Sequence, residues 1–170
     1  MKRSLVLGSA LILCSMLVGC APDTKEGLIS DTIRLMGEAS TNVGNITARV
    51  KEAVAKAKGP PLKKLDLSDA MGAAKTLKET GEGASRISKR IEKVRAQVTP
   101  EEQKAYFERE AGRLNEAFKE LHKQKNDLQV QLAIAEKLEG SADHNRLQVQ
   151  NLRDRIRDAE SPFEALNQAK

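Results

Sequence analysis

The chain of 170 residues carries 29 Lys and Arg against 24 Asp and Glu, a net charge of +5, and it contains two cysteines and no tryptophan. Charged residues make up 31% and aromatic residues 2% of the chain, a composition typical of long amphipathic helices or coiled coils. The modest positive charge and the shortage of aromatic side chains for base stacking disfavour a dedicated nucleic-acid binder. The length predicts a single domain after a short N-terminal segment.

The first 20 residues have the pattern of an export signal. Lys2 and Arg3 precede an uncharged, mostly apolar run over residues 5–18, and Gly19 and Cys20 follow at once. This run is shorter than the roughly 20 apolar residues that a membrane-spanning helix needs. A basic start, a short apolar run and a small residue before a cleavage point are the parts of a secretory signal peptide. The alternative is an uncleaved signal anchor in which the cysteine has no role.

The segment Leu17-Val18-Gly19-Cys20 resembles the lipobox of bacterial lipoproteins, and the resemblance covers residues 1–20 only. It implies that residues 1–19 are removed, that the Cys20 thiol takes a diacylglycerol, and that the new α-amino group takes a third acyl chain. Two or more acyl chains anchor a protein stably, whereas one chain holds it only marginally. Ala21 stands where an Asp tends to retain such proteins in the inner membrane. The resemblance therefore implies the periplasmic face of the outer membrane, in an organism that has two membranes.

Residues 20–27 would then be the lipidated cysteine and a short tether. Cleavage would also remove Cys14, so Cys20 would be the only cysteine of the mature chain and no intrachain disulfide could form. The exported part therefore has to be held together by packing alone.

Residues 28–98 predict a helical hairpin with small residues in its seam. The first helix, over about 28–58, ends at Gly59-Pro60-Pro61 because proline cannot continue a helical hydrogen-bond ladder. The second helix begins at Asp66 or Ser68 and reaches Val98, and Gly81-Glu82-Gly83 is its expected kink. The inward positions of the first helix, three or four residues apart, are Ile29, Thr32, Met36, Ala39, Val43, Ile46, Val50, Ala53 and Ala57. Those of the second helix are Ala70, Ala73, Leu77, Thr80, Ala84, Ile87, Ile91, Val94 and Val98.

Residues 99–170 predict a second hairpin, with Leu and Phe in its seam. Thr99-Pro100-Glu101-Glu102 is a helix start with a capping box, and the third helix runs over about 100–138. The fourth helix runs over about 142–160, and Ser161-Pro162-Phe163-Glu164 predicts a proline kink followed by a short terminal helix. The inward positions are Phe107, Ala111, Leu114, Phe118, Leu121, Lys125, Leu128, Leu132 and Ala135 in the third helix and Val149, Leu152, Ile156, Ala159, Phe163 and Leu166 in the fourth.

These elements predict an all-α protein made of long amphipathic helices in two antiparallel hairpins. If the chain reverses at Val98-Thr99-Pro100, the hairpins form a four-helix bundle. If the second and third helices run nearly collinear there, they form an extended coiled coil. The bundle is favoured because four narrow seams bury more surface together than apart.

The sequence offers no catalytic, cofactor-binding or metal-binding constellation. His122 and His144 both lack the Glu-x-x-His spacing of bundle metal sites, so we expect surface histidines without a role. Acidic residues form helix-stabilising pairs such as Glu52 with Lys56, and no carboxylate pair is embedded in an apolar patch. Cys20 cannot act as a nucleophile once it is acylated. We therefore expect a protein that is not an enzyme and needs no cofactor or metal.

One basic cluster lies on the outward face of the second helix and consists of Arg86, Lys89, Arg90 and Lys93, with Lys75 and Lys78 upstream. If this cluster has a function, we expect it to contact anionic lipid head groups, lipopolysaccharide or cell-wall polymer. The alternative is a solvated face, since Glu residues interrupt the cluster. In the third helix, the inward Lys125 is expected either to set the register of the bundle or to extend its ammonium group to water.

The leading functional hypothesis is a membrane-anchored envelope lipoprotein with a structural or adaptor role. Surplus apolar side chains at Val130, Ile134 and Leu147 would face a protein partner or a second copy of the chain. The alternative is a ligand-binding or holdase-type envelope module, with a groove between the hairpins opened by a loose segment at 81–83. No small-molecule substrate can be named from the sequence.

Overall fold

A computed structural model describes residues 25–59, 64–97, 99–139 and 141–169. These residues form four helices: α1 (Lys25–Lys58), α2 (Ser68–Arg95), α3 (Pro100–Glu136) and α4 (Ala142–Ala169). The all-α prediction is confirmed. The predicted signal peptide and Cys20 lie outside the described residues. Among the helices that the structure describes, none is both long and apolar enough to cross a membrane.

The helix starts follow local side-chain chemistry. Asp66 accepts a hydrogen bond of 2.9 Å from the Ser68 backbone N–H, just where α2 begins, and this bond lowers the pKa of the Asp66 carboxyl. At α3 the predicted capping box is present, because the Glu102 backbone N–H donates to Thr99 Oγ1 and the Thr99 N–H donates to a Glu102 carboxylate oxygen. At the end of the chain α4 continues as one helix through Pro162, so the predicted short terminal helix is part of α4 and not a separate element.

The first two helices form an antiparallel pair. Asp31 of α1 and Arg90 of α2 are joined by an ion pair of 3.4 Å. Further along α1, Asn42 Nδ2 donates a hydrogen bond of 2.9 Å to Thr80 Oγ1. Position thus increases along α1 as it decreases along α2, and the end of α2 lies beside the start of α1.

The other two helices are also antiparallel, as the ion pairs Lys125–Glu160 (3.1 Å) and Arg153–Glu136 (3.0 Å) show. In cross-section, α1 packs against α2 and α3, and α4 packs against the same two helices. Among the described residues, the diagonal pairs α1–α4 and α2–α3 make at most isolated contacts. The chain therefore reverses between α2 and α3, which confirms the four-helix bundle over the extended coiled coil.

The core is built from the predicted seams and from residues that the seam pattern does not include. Eight of the nine inward positions predicted for α1 are buried and Ala53 is partly buried, and all six predicted for α4 are buried. Leu35 and Val54 are buried as well, because α1 contacts two helices and so buries a wider stripe than a coiled-coil seam. In the connection before α2, Leu65 and Leu67 fold inward and close that end of the core. All four helices and their shared core thus lie within residues 21–170.

The glycines near the middle of α2 are packed closely, and α2 passes through them without a break. Gly81 is buried, and a Cβ atom on it would lie 2.7 Å from the backbone carbonyl oxygen of Ala159. A Cβ on Gly83 would lie 2.7 Å from Leu35 Cδ1. The small residues therefore let α2 approach α4 and α1, which removes the loose segment that the alternative hypothesis needed.

Candidate functional site

The predicted basic cluster divides into two parts on the surface of α2. Arg86, Lys89 and Lys93 are exposed to solvent. Arg90 is half-buried and pairs with Asp31, so it ties α2 to α1. The structure therefore offers the first three side chains, and not Arg90, for contact with an external anionic surface.

This cluster lies at the end of the bundle from which the predicted anchor would emerge. Asp31, the partner of Arg90, lies in the second turn of α1, which begins at Lys25. Cys20 precedes Lys25 by five residues in the sequence. Since an extended chain spans at most about 3.5 Å per residue, Cys20 cannot be more than roughly 18 Å from the start of α1.

A long groove lies between α1 and α3, and we call it the α1–α3 groove. It has a volume of about 820 Å³, and small residues on both helices create it: Gly37, Ser40 and Gly44 on α1 and Gly112 and Ala117 on α3. A Cβ atom on Gly37 or on Gly112 would meet no other group within 4 Å. Open space therefore remains where ordinary helix side chains would fill the interface.

A buried hydroxyl adds a polar feature to this groove. Ser40 is 8% exposed, and its Oγ has no hydrogen-bond partner among the described residues. The buried hydroxyls of Thr32 and Thr47 on the same helix each donate to the carbonyl four residues earlier, at 2.8 and 2.9 Å. Ser40 thus differs from the other buried hydroxyl side chains of α1 in retaining an unused polar atom beside the groove.

A second concavity, the α3–α4 cleft, reaches the centre of the bundle where α3 and α4 diverge. It has a volume of about 440 Å³, which is within the range of small-molecule sites. Its floor is formed by Val43 and Leu77, which are fully buried core residues of α1 and α2. Phe118 and Phe163 line its walls. The cleft therefore reaches down to the apolar core between two aromatic side chains.

An ion pair of 3.1 Å between Lys125 Nζ and Glu160 Oε2 stands at the edge of this cleft. The Lys125 side chain is 29% exposed and the Glu160 side chain 18%. Burial raises the pKa of the Glu160 carboxyl above its ordinary value, although Lys125 acts in the opposite direction. Lys125 thus neither points into the core nor reaches freely into water, because Glu160 holds its ammonium group at the cleft. The sequence reasoning missed this carboxylate, which lies on the flank of the α4 seam.

The two histidines have different surroundings. His122 is exposed at the rim of the α3–α4 cleft. His144 Nε2 donates a hydrogen bond of 2.8 Å to the Leu65 carbonyl, so it joins the start of α4 to the connection between α1 and α2. His144 is thus half-buried with a structural contact, whereas His122 is on the surface as expected.

The surplus apolar side chains on α3 and α4 are on the surface. Val130 is 56% exposed, Ile134 38% and Leu147 58%. Val130 and Ile134 are four residues apart and so adjoin on one face of α3. They add an apolar pair on the solvent side of that helix, away from both concavities.

Neither metal chemistry nor known relatives point to a class of site. Within the described part of the chain, no group of three or more His, Cys, Asp or Glu could hold a metal ion. No protein-family model, curated protein or solved structure matches the chain. The geometry of the two concavities and of the α2 surface therefore carries the functional argument.

Proposed function

We propose that the protein is a membrane-anchored envelope lipoprotein that holds a partner protein through its helical bundle and is not an enzyme. The lipobox-like segment ending at Cys20 supports the anchor, and Ala21 supports the outer membrane as its location. The observation that carries the adaptor role is the α1–α3 groove.

The groove suits an α-helix from a partner better than a small molecule. It extends along α1 from Ile33 to Gly44, about 17 Å at 1.5 Å per residue, which is roughly three helical turns. Small residues on both walls would let a third backbone approach closely. Arg113 and Glu116 of α3 also line the groove and would meet polar side chains at the edge of the partner helix. A partner side chain could also supply the hydrogen bond that Ser40 lacks.

Filling the groove is expected to abolish partner contact without loss of stability. A photo-crosslinking residue at Thr41, which is exposed and lines the groove, should give a discrete adduct in native envelopes. Gly37→Leu and Gly112→Leu should reduce that adduct at least tenfold. Both substitutions replace an exposed helical glycine, so helix propensity should favour folding by roughly 1 kcal/mol each.

Gly72→Leu is the matched control, because Gly72 is also helical, exposed and free of neighbours within 4 Å but lies outside the groove. It should leave the adduct unchanged. An adduct of twice the mass of the chain would identify the partner as a second copy. If all three leucine variants give the same adduct as the unmodified chain, the groove is not the partner site.

A second candidate function, ligand binding, is favoured by the α3–α4 cleft. The cleft presents apolar core residues beside a half-buried ion pair, and this combination is typical of small-molecule sites. Such a site would make the protein a ligand-binding or holdase-type envelope module. The opening lies within the second hairpin, at the divergence of α3 and α4.

Removing the ion pair is expected to strengthen binding of a hydrophobic fluorescent dye to residues 21–170, because the edge of the cleft becomes apolar. Lys125→Met combined with Glu160→Leu replaces the ion pair with apolar side chains, a change that is commonly neutral or stabilising. The control combines Lys123→Met with Glu120→Leu, an exposed pair of 4.0 Å on the same helix. Dye binding that is unchanged after the first change, or that rises equally after the second, would argue against this function.

A further inference from the structure

The outer surface of α2 carries exposed basic side chains along most of its length. We call the following five residues the α2 basic face: Lys75, Lys78, Arg86, Lys89 and Lys93. They extend over 18 residues, about 27 Å of helix. The set adds two residues to the exposed part of the predicted cluster and leaves out Arg90, which pairs with Asp31.

These five side chains form no close ion pair with the rest of the described bundle. Within the described ranges, no ion pair joins any of them to another residue. On the other helices, basic side chains commonly have a partner one turn away, as in the Lys56–Glu52 pair of 2.8 Å and the Arg157–Asp154 pair of 2.9 Å. The acidic residues one turn away on α2, Glu79 and Glu82, form no ion pair with these basic side chains, which therefore stay available for an external anionic group.

Three acidic residues, Glu79, Glu82 and Glu92, are exposed among these basic residues on α2. Five basic and three acidic residues leave a net charge of +2 (5 − 3). At ionic strengths near 0.15 M, charges act over about 8 Å, so an anionic layer has to come into close contact to gain from them. The surface thus fits a flat array of negative charges.

We propose that the α2 basic face binds the anionic lipid head groups of the membrane, so that the bundle lies on its side against the surface. The inference rests on the proposed anchoring through Cys20, which supplies the membrane. Lys93 lies at the end of α2 that pairs with the start of α1, next to the tether. Packed helices are 8–10 Å apart, so a tether of roughly 18 Å allows α2 to reach the same surface. The basic side chains would then hold the protein on the membrane in addition to the acyl chains.

Flotation of residues 21–170 with lipid vesicles tests the proposal, since this segment contains all four helices and their core. One vesicle preparation is neutral, and the other contains about 30% phosphatidylglycerol. We expect binding to the second preparation only, and weaker binding at higher salt. Each charge removed from the face should weaken binding about fivefold, so Lys89→Gln with Lys93→Gln should weaken it about 25-fold.

Two further pairs test the orientation and exclude misfolding as the cause. Lys75→Gln with Lys78→Gln, at the far end of the face, should weaken binding to a similar degree if the bundle lies on its side. Glu79→Gln with Glu82→Gln should tighten binding by at least fivefold, a gain that an unfolded variant would not produce. The matched control is Lys119→Gln with Lys123→Gln, which are exposed on α3 with the same spacing as Lys89 and Lys93.

Several results would overturn the proposal. They are an absence of binding to anionic vesicles, an equal loss in the α3 control, or a loss at Lys89 and Lys93 with none at Lys75 and Lys78. The segment lacks Cys20, so its behaviour is independent of acylation. If anchoring in cells depends on Cys20 but the vesicles bind nothing, the inference fails while the proposed anchor stands.

Discussion

Replacing Cys20 with serine is expected to abolish acylation of the chain and its cleavage after Gly19. The resemblance to lipoproteins implies that the thiol carries the diacylglycerol and that cleavage follows this modification. A serine hydroxyl at that position would leave a precursor that retains the apolar run over residues 5–18, which is shorter than a membrane span. Metabolic labelling with a fatty acid analogue and the change in chain mass would measure both effects.

The second cysteine of the sequence supplies the matched control for this experiment. Cys14 lies within the segment that would be removed, so Cys14→Ser should be labelled and cleaved like the unmodified chain. The lipid anchor would be contradicted if Cys20→Ser were still labelled and cleaved to the normal extent. Loss of labelling in Cys14→Ser alone would point to a different modified residue.

The positions of the helices and their buried faces could be predicted from the sequence because they depend on local chemistry. The spacing of three or four residues from Ile29 to Ala57 reflects helix geometry and identifies the residues that face the core. The capping box at Thr99 depends on groups only three residues apart. The proline at position 162 does not end the helix, since α4 continues through it to Ala169.

The concavities could not be predicted, because their shape depends on the distance between helices that are far apart in the sequence. Gly37 and Gly112 line open space, whereas Gly81 lies against a backbone. The burial of Glu160 likewise depends on how far α3 and α4 diverge. A heptad pattern states which face is buried but not how closely the neighbouring helix approaches. The predicted lipobox and cleavage point lie outside the described residues and remain predictions.

Gly81→Ala is expected to destabilise the bundle by about 1–3 kcal/mol, although alanine is the better helix former by roughly 1 kcal/mol. The new Cβ would lie 2.7 Å from the Ala159 carbonyl oxygen and 3.5 Å from Pro162 Cγ. A backbone carbonyl within α4 cannot rotate away as a side chain can, so α2 and α4 would have to separate. Separation would weaken the contacts of buried neighbours such as Leu77 and Ala84. Urea unfolding of residues 21–170 would measure the change.

Alanine substitutions at two other glycines of α2 would show whether the loss of stability at position 81 comes from the close approach of α2 to α4. Gly72 is exposed with no group within 4 Å of a Cβ, so Gly72→Ala should stabilise the bundle by up to about 1 kcal/mol. At Gly83 the group in contact is Leu35 Cδ1, the end of a flexible side chain, so Gly83→Ala should have an effect between the other two. If all three alanines stabilise equally, helix propensity alone governs these positions and the α2–α4 contact is looser than the structure shows. If the predicted order is observed, the absence of a side chain at position 81 sets the spacing of α2 and α4.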